Sequence, residues 1–333
     1  MTPRFSIIIP VYNRPDEIEE LLESLAAQSC KDFEVVITED GSTVPCKDVV
    51  DRYADTLNIT YLTQENEGRS PARNRSMANA RGQWMVFFDS DCIIPPDYFK
   101  TLSAELDADP VDCFGGPDAA HPGFSRLQKA INFAMTSFLT TGGIRGGARR
   151  LENFTPRTFN MGFSREVYER VGGFKEMFSE DIDMSRRIMA AGYTPRLLRS
   201  IPVYHKRRGS LGKFFRQVHI FGRSRITLYQ LYPDSLKLVH ALPAVALIGF
   251  ITLIALGIFC SPWWLLPIGI YAASLFISAL VATRSVITAL LAVAASAVQI
   301  IGYGSGFIRA FFNSIILRKG RNLNAEIKAR KGK

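Results

Sequence analysis

The sequence has little cysteine, and the cysteines it has follow no framework pattern. There are five in 333 residues, an odd number, and no two are spaced as C-x-x-C. This argues against a disulfide framework and against a zinc site, and it fits a reducing compartment. The N-terminus also lacks a signal-peptide core, because the apolar run Phe5–Ile9 is too short and no cleavage site follows it. We therefore expect the N-terminal part to stay in the cytoplasm.

Charge is nearly absent from a long C-terminal tract. Residues 238–317 contain only two charged side chains, Arg284 and Arg309. About 20 apolar residues suffice to cross a bilayer core as a helix. Three runs approach or exceed this length: Leu238–Cys260, Trp263–Ala282 and Val286–Leu317. The tract predicts a membrane region with two to four membrane segments over residues 235–317.

Acidic residues are missing from the segment before this tract. Residues 204–232 carry seven basic residues and no acid, which favours a cytoplasmic position. Leu211–Tyr232 has an apolar face and predicts an amphipathic helix, either in the headgroup layer or packed on the preceding domain. Residues 1–203 hold 23 basic and 29 acidic residues, whereas residues 204–333 hold 17 and 2. This contrast indicates a soluble head and a membrane-bound tail.

The predicted organisation has four parts: a domain over residues 1–205, a basic interface helix over 206–234, the membrane region 235–317 and a basic tail 318–333. A third full span would place the tail outside, yet the tail has seven basic residues and one acid. The positive-inside rule favours a cytoplasmic tail. The third segment would then be re-entrant, interfacial or broken near Gly302, Gly304 and Gly306, unless the rule is overridden.

The head alternates between short β-rich runs and helical patterns, which predicts an α/β fold with a parallel sheet. Strands are predicted at Phe5–Pro10, Phe33–Thr38, Ile59–Thr63, Trp84–Phe88 and Arg196–Val203. Helices are predicted from Pro15, over Pro71–Arg81, after Pro96 and over Glu180–Ala191. The glycine-rich residues 142–147 predict a mobile loop.

Three acidic clusters stand where strand ends and helix starts are expected: Glu39-Asp40, Asp89-Ser90-Asp91 and Glu180-Asp181. Ligands of open α/β sheets bind outside the carboxyl ends of the strands. Paired carboxylates suit Mg²⁺ or Mn²⁺, which neutralises a diphosphate leaving group. A separate carboxylate, for which Asp181 is the candidate, can then act as a general base, although an acid there is also typical of a helix start.

Short motifs along the head resemble those of the family 2 glycosyltransferases, which have a GT-A fold. In order they are Pro10-Val11-Tyr12-Asn13-Arg14, Glu39-Asp40-Gly41-Ser42, Asn66-Glu67-Gly68, Ala72-Arg73-Asn74, Asp89-Ser90-Asp91, Asn160–Arg165, Gly172-Gly173-Phe174 and Ser179-Glu180-Asp181. The resemblance covers roughly residues 5–225. It implies a Rossmann-like, nucleotide-sugar-binding α/β domain.

The resemblance also implies roles for individual residues. The expected nucleotide-sugar contacts are Pro10, Val11, Tyr12, Arg14, Glu39, Asp40, Arg69, Arg73, Asp89 and Ser90. Asp89 and Asp91 would hold a Mg²⁺ or Mn²⁺ ion. Asp181 would be the catalytic base, with Glu180 beside it. His205 is either a further metal ligand or a structural histidine.

The implied reaction is an inverting, metal-dependent transfer from a nucleotide-diphosphate sugar to a lipid-linked or glycan acceptor hydroxyl or phosphate. We expect membrane lipids but no nucleic acid as partners, and an integral protein of the cytoplasmic membrane with its catalytic domain in the cytoplasm. The Q-x-x-R-W motif of processive members is absent, which favours a non-processive enzyme. The alternatives are a nucleotidyltransferase acting on sugar phosphates and a non-catalytic membrane scaffold.

Overall fold

The computed structural model describes residues 2–119, 121, 123–141, 154–177 and 179–317. The predicted loop at 142–147 and the basic tail at 318–333 lie outside these residues. The chain forms two compact units. The first comprises residues 1–121 and 150–206, and the second comprises residues 122–149 and 207–333.

The first unit is built on a seven-stranded sheet. Its strands are β1 (Phe5–Val11), β2 (Phe33–Asp40), β3 (Ile59–Gln64), β4 (Trp84–Phe87), β6 (Cys113–Gly115), β8 (Met161–Ser164) and β9 (Arg196–Leu197). They lie side by side in the order β3-β2-β1-β4-β8-β6-β9. The first four run parallel to one another. Strand β1 is buried almost throughout, as its uninterrupted apolar sequence predicts for a central strand covered on both faces.

The helices of this unit cover the sheet. They are α1 (Pro15–Ala26), α2 (Lys47–Asp51), α3 (Arg69–Asn79), α4 (Tyr98–Ala108), α7 (Arg165–Val171) and α8 (Glu180–Ala190). Helix α1 begins with proline at its first position and has two acids in its first turn, both favourable at a helix N-terminus. Helix α8 ends before Gly192, which has a φ of 96° that suits glycine.

Two sequence predictions about the sheet are wrong. The sheet is mixed rather than parallel, because β8 runs antiparallel to both β4 and β6. The predicted strand Arg196–Val203 is two short strands, β9 and β10 (Val203–His205), which belong to different sheets. Pro202 stands between them, and a proline has no N–H to donate to a sheet ladder.

A second, three-stranded sheet determines where His205 lies. Strand β10 stands between β5 (Cys92–Ile93) and β7 (Asp118–Ala119). It runs antiparallel to β5, with His205 opposite Cys92. This register places His205 next to Asp91, although more than a hundred residues separate them in the chain.

The second unit is helical. Its helices are α5 (Arg126–Thr136), α6 (Phe138–Thr141), α9 (Leu211–Leu231), α10 (Leu242–Phe259), α11 (Leu266–Thr283) and α12 (Val286–Phe311), the last continued by a π-helical turn, Phe312–Ile316. Short 3-10 helices lie at Pro233–Ser235, Leu238–His240 and Pro262–Leu265. Within the described part of the chain, three helices are long and apolar enough to cross a membrane, as the nearly uncharged tract predicts.

Helix α12 is continuous through Gly302, Gly304 and Gly306, which rules out a break at these glycines, one of the alternatives that the sequence left open. The glycines serve close helix packing instead. A Cβ at Gly306 would lie 2.1 Å from the carbonyl oxygen of His219 in α9, and one at Gly222 would lie 2.1 Å from that of Tyr303. The backbones of α9 and α12 therefore touch at these points.

Candidate active site

One buried arginine links two of the three acidic clusters. Arg73 lies on α3 and is 2% exposed. It donates hydrogen bonds to Glu180 Oε1 at 2.8 Å, to Asp89 Oδ1 at 2.7 Å and to Thr158 Oγ1 at 3.1 Å. Burial opposes a charged guanidinium, but Asp89 and Glu180 outweigh it and raise the pKa of Arg73. The group thus stays positive and holds the end of β4 against the start of α8.

Arg69 stands one turn before Arg73 on the same helix and has a different environment. It donates to Glu180 Oε2 at 2.8 Å, while 56% of its own side chain is exposed. Glu180 is consequently buried between two guanidinium groups. Of the two arginines predicted to contact the nucleotide, Arg69 is accessible to a ligand and Arg73 is enclosed.

Asp181 follows Glu180 in the first turn of α8. Its Oδ1 accepts the backbone N–H of Ile182 at 2.8 Å, and its Oδ2 accepts Nη1 of Arg157 at 3.1 Å. Burial alone would raise the pKa of Asp181, but the charge and hydrogen bond of Arg157 prevail and hold that pKa below its ordinary value. Asp181 is therefore an ionised carboxylate at neutral pH.

Asp91 contacts a second group of side chains. Its Oδ2 accepts Nη1 of Arg14 at 3.2 Å, and its Oδ1 lies 3.0 Å from Nε2 of His205. Arg14 also donates to Glu17 at 2.6 Å. The ring of Phe159 stacks on His205 with centroids 4.9 Å apart. The imidazole orientation is thus fixed by packing as well as by Asp91.

Among the described residues, Asp91, Cys92 and His205 bring ligand atoms within 4.8 Å of one another. The carboxylate suits Mg²⁺ or Mn²⁺, and the imidazole suits a transition metal better than Mg²⁺. Burial, together with the neighbouring Asp91, raises the pKa of the Cys92 thiol far above its usual range. Sulfur is a soft donor, whereas Mg²⁺ and Mn²⁺ prefer harder ligands, so Asp91 and His205 are the donors that fit, while Asp89 faces Arg73.

The first acidic cluster organises loops. Glu39 accepts hydrogen bonds from Ser42, from the backbone N–H of Cys46 at 2.7 Å and from Tyr61 at 3.0 Å. Asp40 accepts from Gln64 at 2.8 Å and from two consecutive N–H groups at residues 67 and 68, at 3.0 and 2.9 Å. Those N–H groups immediately precede α3, so Asp40 fixes the helix that carries Arg69 and Arg73.

The remaining predicted contacts differ in accessibility. Val11 is 2% exposed and packs in the main core, whereas Tyr12 is 48% exposed. Pro10 is partly exposed beside them. Ser90 is buried and donates to Glu17 at 3.3 Å. Tyr12 is therefore the member of this group best placed to meet a ligand, and the other assignments stay predictions.

Two further motifs hold the scaffold. The side-chain amide of Asn74 donates to the carbonyl oxygen of Phe174 at 2.9 Å and accepts its N–H at 2.7 Å. A Cβ at Gly173 would lie 2.5 Å from Asn74 Oδ1, so glycine is required there. Asn160 accepts from Tyr98 at 2.6 Å and donates to the carbonyl of Ile201 at 2.8 Å. These motifs fix the backbone around the carboxylates.

Sequence reasoning missed several members of the site. Arg157 pairs with Asp181 across 24 residues, Thr158 binds Arg73 and Phe159 stacks on His205. All three lie between the predicted loop 142–147 and the motif that begins at Asn160, where the sequence indicated no element. Their sequential positions gave no signal, because each acts through a contact with a distant element.

The chain is similar to several known proteins. Succinoglycan biosynthesis protein ExoA of Rhizobium meliloti (strain 1021) is 28% identical over 275 residues, which is 80% of this chain and 82% of that protein. Validoxylamine A glucosyltransferase of Streptomyces hygroscopicus subsp. jinggangensis (strain 5008) is 31% identical over 225 residues, covering 57% of this chain and about half, 52%, of the relative.

Among solved structures, the fold is similar to that of the mannosyltransferase PcManGT from Pyrobaculum calidifontis in complex with GDP-Man and Mn²⁺. The TM-score is 0.56 at 20% identity, and the match covers 96% of this chain and 88% of that one. This likeness confirms the predicted GT-A fold. The sequence model described as glycosyl transferase family 2 matches residues 6–172, half of the chain. With the motifs in order and the carboxylates gathered at one edge of the sheet, the chain belongs to the family 2 glycosyltransferases.

Proposed function

We propose that this glycosyltransferase, which is of the nucleotide-sugar type, transfers the sugar with inversion at the site formed by Asp89, Asp91 and Asp181. The observation that carries the proposal is the ion-paired cluster around Arg73, which connects Asp89 at the end of β4 to Glu180 at the start of α8. Asp181 is the next residue on α8 after Glu180, and this connection supports its assignment to the same site as Asp89.

The donor would be bound by groups that are accessible and positively charged. Arg69 has more than half of its side chain exposed, and Tyr12 offers an exposed ring for the base. A guanidinium binds phosphate oxygens well because its planar fork matches their geometry. In the absence of donor, Glu180 holds Arg69 in place, so a diphosphate would meet a preoriented cation.

The donor set at Asp91 and His205 fits a divalent cation. When bound, Mg²⁺ or Mn²⁺ would neutralise the charge that develops on the departing nucleoside diphosphate. Arg14 and Phe159 keep the two ligand side chains in position through their contacts with Asp91 and His205.

The acceptor step would use Asp181 as the base. Its carboxylate takes the proton of the acceptor hydroxyl while the hydroxyl oxygen forms a bond to the anomeric carbon. The bond from that carbon to the diphosphate breaks on the opposite face, so the configuration inverts.

The acceptor is proposed to be lipid-linked or a glycan, and the enzyme to reside in the cytoplasmic membrane with its catalytic domain in the cytoplasm. The support is the set of three apolar helices and the basic helix α9, whose exposed side chains include Lys213, Arg216 and Arg223. The name of the relative ExoA refers to biosynthesis of a polysaccharide, which agrees with a glycan product.

A transfer assay with radiolabelled nucleotide sugars and membrane lipids tests the reaction. Wild type should form labelled product and release a nucleoside diphosphate, whereas Asp181→Asn should be inactive. Glu169→Gln, an exposed change on α7, is the matched control and should retain activity. Equal activity of wild type and Asp181→Asn, or release of pyrophosphate instead, would contradict the proposal.

Calorimetry tests the donor and metal site separately from catalysis. Titrating a panel of nucleoside diphosphates with and without Mn²⁺ should identify the base and show metal-dependent binding. Asp91→Asn and His205→Ala should each weaken the Mn²⁺-dependent part. Binding that is unaffected by Mn²⁺ in the wild type would refute the metal assignment.

A further inference from the structure

Helix α12 differs from the other two apolar helices in how much protein covers it. The membrane-length windows of α10 and α11 are 6% and 11% buried, while that of α12 is 44% buried. Hydropathy alone does not separate them, since all three have a mean hydropathy of 2.0 or more. The difference indicates that α12 has a distinct position in the second unit.

The start of α10 packs on the C-terminal half of α12. A Cβ at Gly304 would lie 2.8 Å from the carbonyl oxygen of Pro243 and 3.1 Å from Leu247. Ala244 lies in the same buried cluster as Phe307. The first turn of α10 is therefore level with residues 304–307 of α12.

The end of α11 packs on the opposite end of α12. Leu275 and Ala279 form a buried cluster with Ala289 and Ala292. Arg284 then adopts a left-handed conformation with a φ of 51°, and Ser285 caps α12 through a hydrogen bond to the N–H of Thr288. The chain thus reverses sharply into α12 at this point.

These two contacts lie about 22 Å apart, because 15 residues separate positions 289 and 304 and a helix rises about 1.5 Å per residue. Helices α10 and α11 have 18 residues each, about 27 Å, and are joined at the 3-10 turn, where Gly257 is in contact with Leu265. Beyond this turn the two helices contact each other through the rings of Phe250 and Tyr271, whose centroids lie 5.6 Å apart, while their other ends reach the two ends of α12. Together with α12 they form the three sides of a triangle.

A triangle is incompatible with three upright spans. In a hairpin that enters a membrane and returns, the start of α10 and the end of α11 lie at the same face. In a bundle of three upright spans, the start of α10 and the end of α11 would therefore both contact the beginning of α12. In this structure they contact opposite ends of α12. Helix α12 must therefore run along the membrane face at which the hairpin enters and leaves.

The neighbour of α12 leads to the same orientation. Helix α9 runs beside α12, from Phe214 and Val218 near Ala295 to Ile226 near Phe307. It carries exposed Lys213, Arg216 and Arg223 along this length. Charged side chains in the hydrocarbon region are costly, whereas the headgroup layer accommodates them. If α12 crossed the membrane upright, α9, which packs along it, would also lie in the hydrocarbon region together with its charged side chains.

We propose that α12 is not a membrane span but lies in the plane of the bilayer surface, beneath α9, and that only the α10–α11 hairpin inserts. The partner of the hairpin is the hydrocarbon core, which its exposed apolar residues fit, among them Ile251, Ile258 and Phe259 at 59%, 69% and 84% exposure. The inference rests on the proposed membrane location but not on the proposed reaction.

This topology resolves the conflict in the sequence. Arg309, near the end of α12, comes to the face from which α10 starts, and a helix that ends at this face does not require the basic tail 318–333 to cross the membrane. That face is the one where residues 204–232 place seven further basic residues. All the basic segments then obey the positive-inside rule together.

Cysteine labelling of the full-length protein in sealed membrane vesicles tests the arrangement. The native Cys260, exposed at the turn of the hairpin, is one reporter. In a Cys260→Ser background, Lys237→Cys reports the start of α10 and Asn313→Cys reports the end of α12, both at exposed positions. Cys260→Ser alone gives the baseline from the remaining cysteines.

A membrane-impermeant maleimide should label Lys237→Cys and Asn313→Cys from the same side, and should not label Cys260 from that side. Labelling of Asn313→Cys from the side opposite to Lys237→Cys would overturn the proposal. The readout requires no transferase activity, so an inactive enzyme with this labelling pattern would refute the proposed reaction only. Recovery of the protein without membranes would refute the location and, with it, this topology.

Depth measurement gives a second test that is independent of sidedness. A fluorophore attached in turn at the exposed α12 positions Val286, Leu290 and Ile301 should be quenched by spin-labelled lipids at one common shallow depth. The exposed α10 position Ile251 is the deep reference. A gradient along α12 that reaches the depth of Ile251 would contradict the in-plane assignment.

Discussion

Arg73, the buried arginine of the candidate active site, offers the sharpest test of which interactions stabilise this domain. Arg73→Met keeps the aliphatic volume and removes the charge. Glu180, 3% exposed, would lose one of its two guanidinium partners, and Asp89, 32% exposed, would lose the one that binds it. Removing one partner of a buried ion pair typically costs about 3–5 kcal/mol, since the remaining charge stays buried.

The lower end of this range applies here. Asp89 is exposed enough to be hydrated by solvent, and Glu180 keeps Arg69, although that arginine is itself largely exposed and such pairs contribute only about 0–1 kcal/mol. We therefore expect a loss of about 3 kcal/mol in the free energy of unfolding. For a domain of this size, this corresponds to a fall in Tm of about 6–12 °C.

Thermal unfolding of the full-length protein in detergent measures the effect. Arg75→Met is the matched control, because Arg75 lies on the same helix but is exposed, and its Tm should stay close to that of wild type. Adding Glu180→Gln to Arg73→Met should restore part of the loss by removing the uncompensated charge. If Arg73→Met melts no earlier than Arg75→Met, the ion-paired cluster does not stabilise the fold and the reasoning is wrong.

Three further predictions follow from other contacts. Arg157 lowers the pKa of Asp181 against the effect of burial, so Arg157→Gln should raise that pKa. The acid limb of the pH profile of kcat/KM should then move to higher pH. If the limb does not move, Asp181 is not the titrating base. Glu34 has a pKa below its ordinary 4.5 because hydrogen bonds from Ser6 and Arg81 outweigh burial. Its stabilisation should be complete above pH 4.5 and lost as the pH falls through the lowered value, so wild type and Glu34→Gln should differ in unfolding free energy at pH 7 and converge in acid. Gly306→Ala should destabilise the protein by about 1–3 kcal/mol through a clash with the α9 backbone, whereas Gly249→Ala, with open space around it, should leave Tm unchanged.

Local sequence patterns predicted the parts of the fold that depend on local physics. The uninterrupted apolar run of β1 and the proline and acids that open α1 are readable because each stabilises its own element. The ordered motifs identified the family, and the three apolar helices followed from composition. The split of residues 196–203 into two strands was not predicted, because it depends on which sheets have free edges there.

Contacts between distant residues explain what the sequence left open in the site. Asp181 was identifiable from its motif, but its low pKa depends on Arg157, which approaches from another segment. Arg69 and Arg73 are one helical turn apart and alike in sequence, yet the sheet encloses one and leaves the other accessible. The side chains of Asp91 and His205, the proposed metal ligands, come together only because β10 pairs with β5 in one register.

The sequence by itself determined the class of this protein: an acidic α/β domain with the family motifs, followed by a basic helix and uncharged membrane-length segments. Composition, periodicity and motif order suffice for this, since they act over one or a few turns of chain. Only the tertiary structure distinguished α12 from α10 and α11, which share its hydropathy. The orientation of α12 is inferred from which ends of α10 and α11 contact it. These contacts join residues that are far apart in the chain, so the sequence does not reveal them.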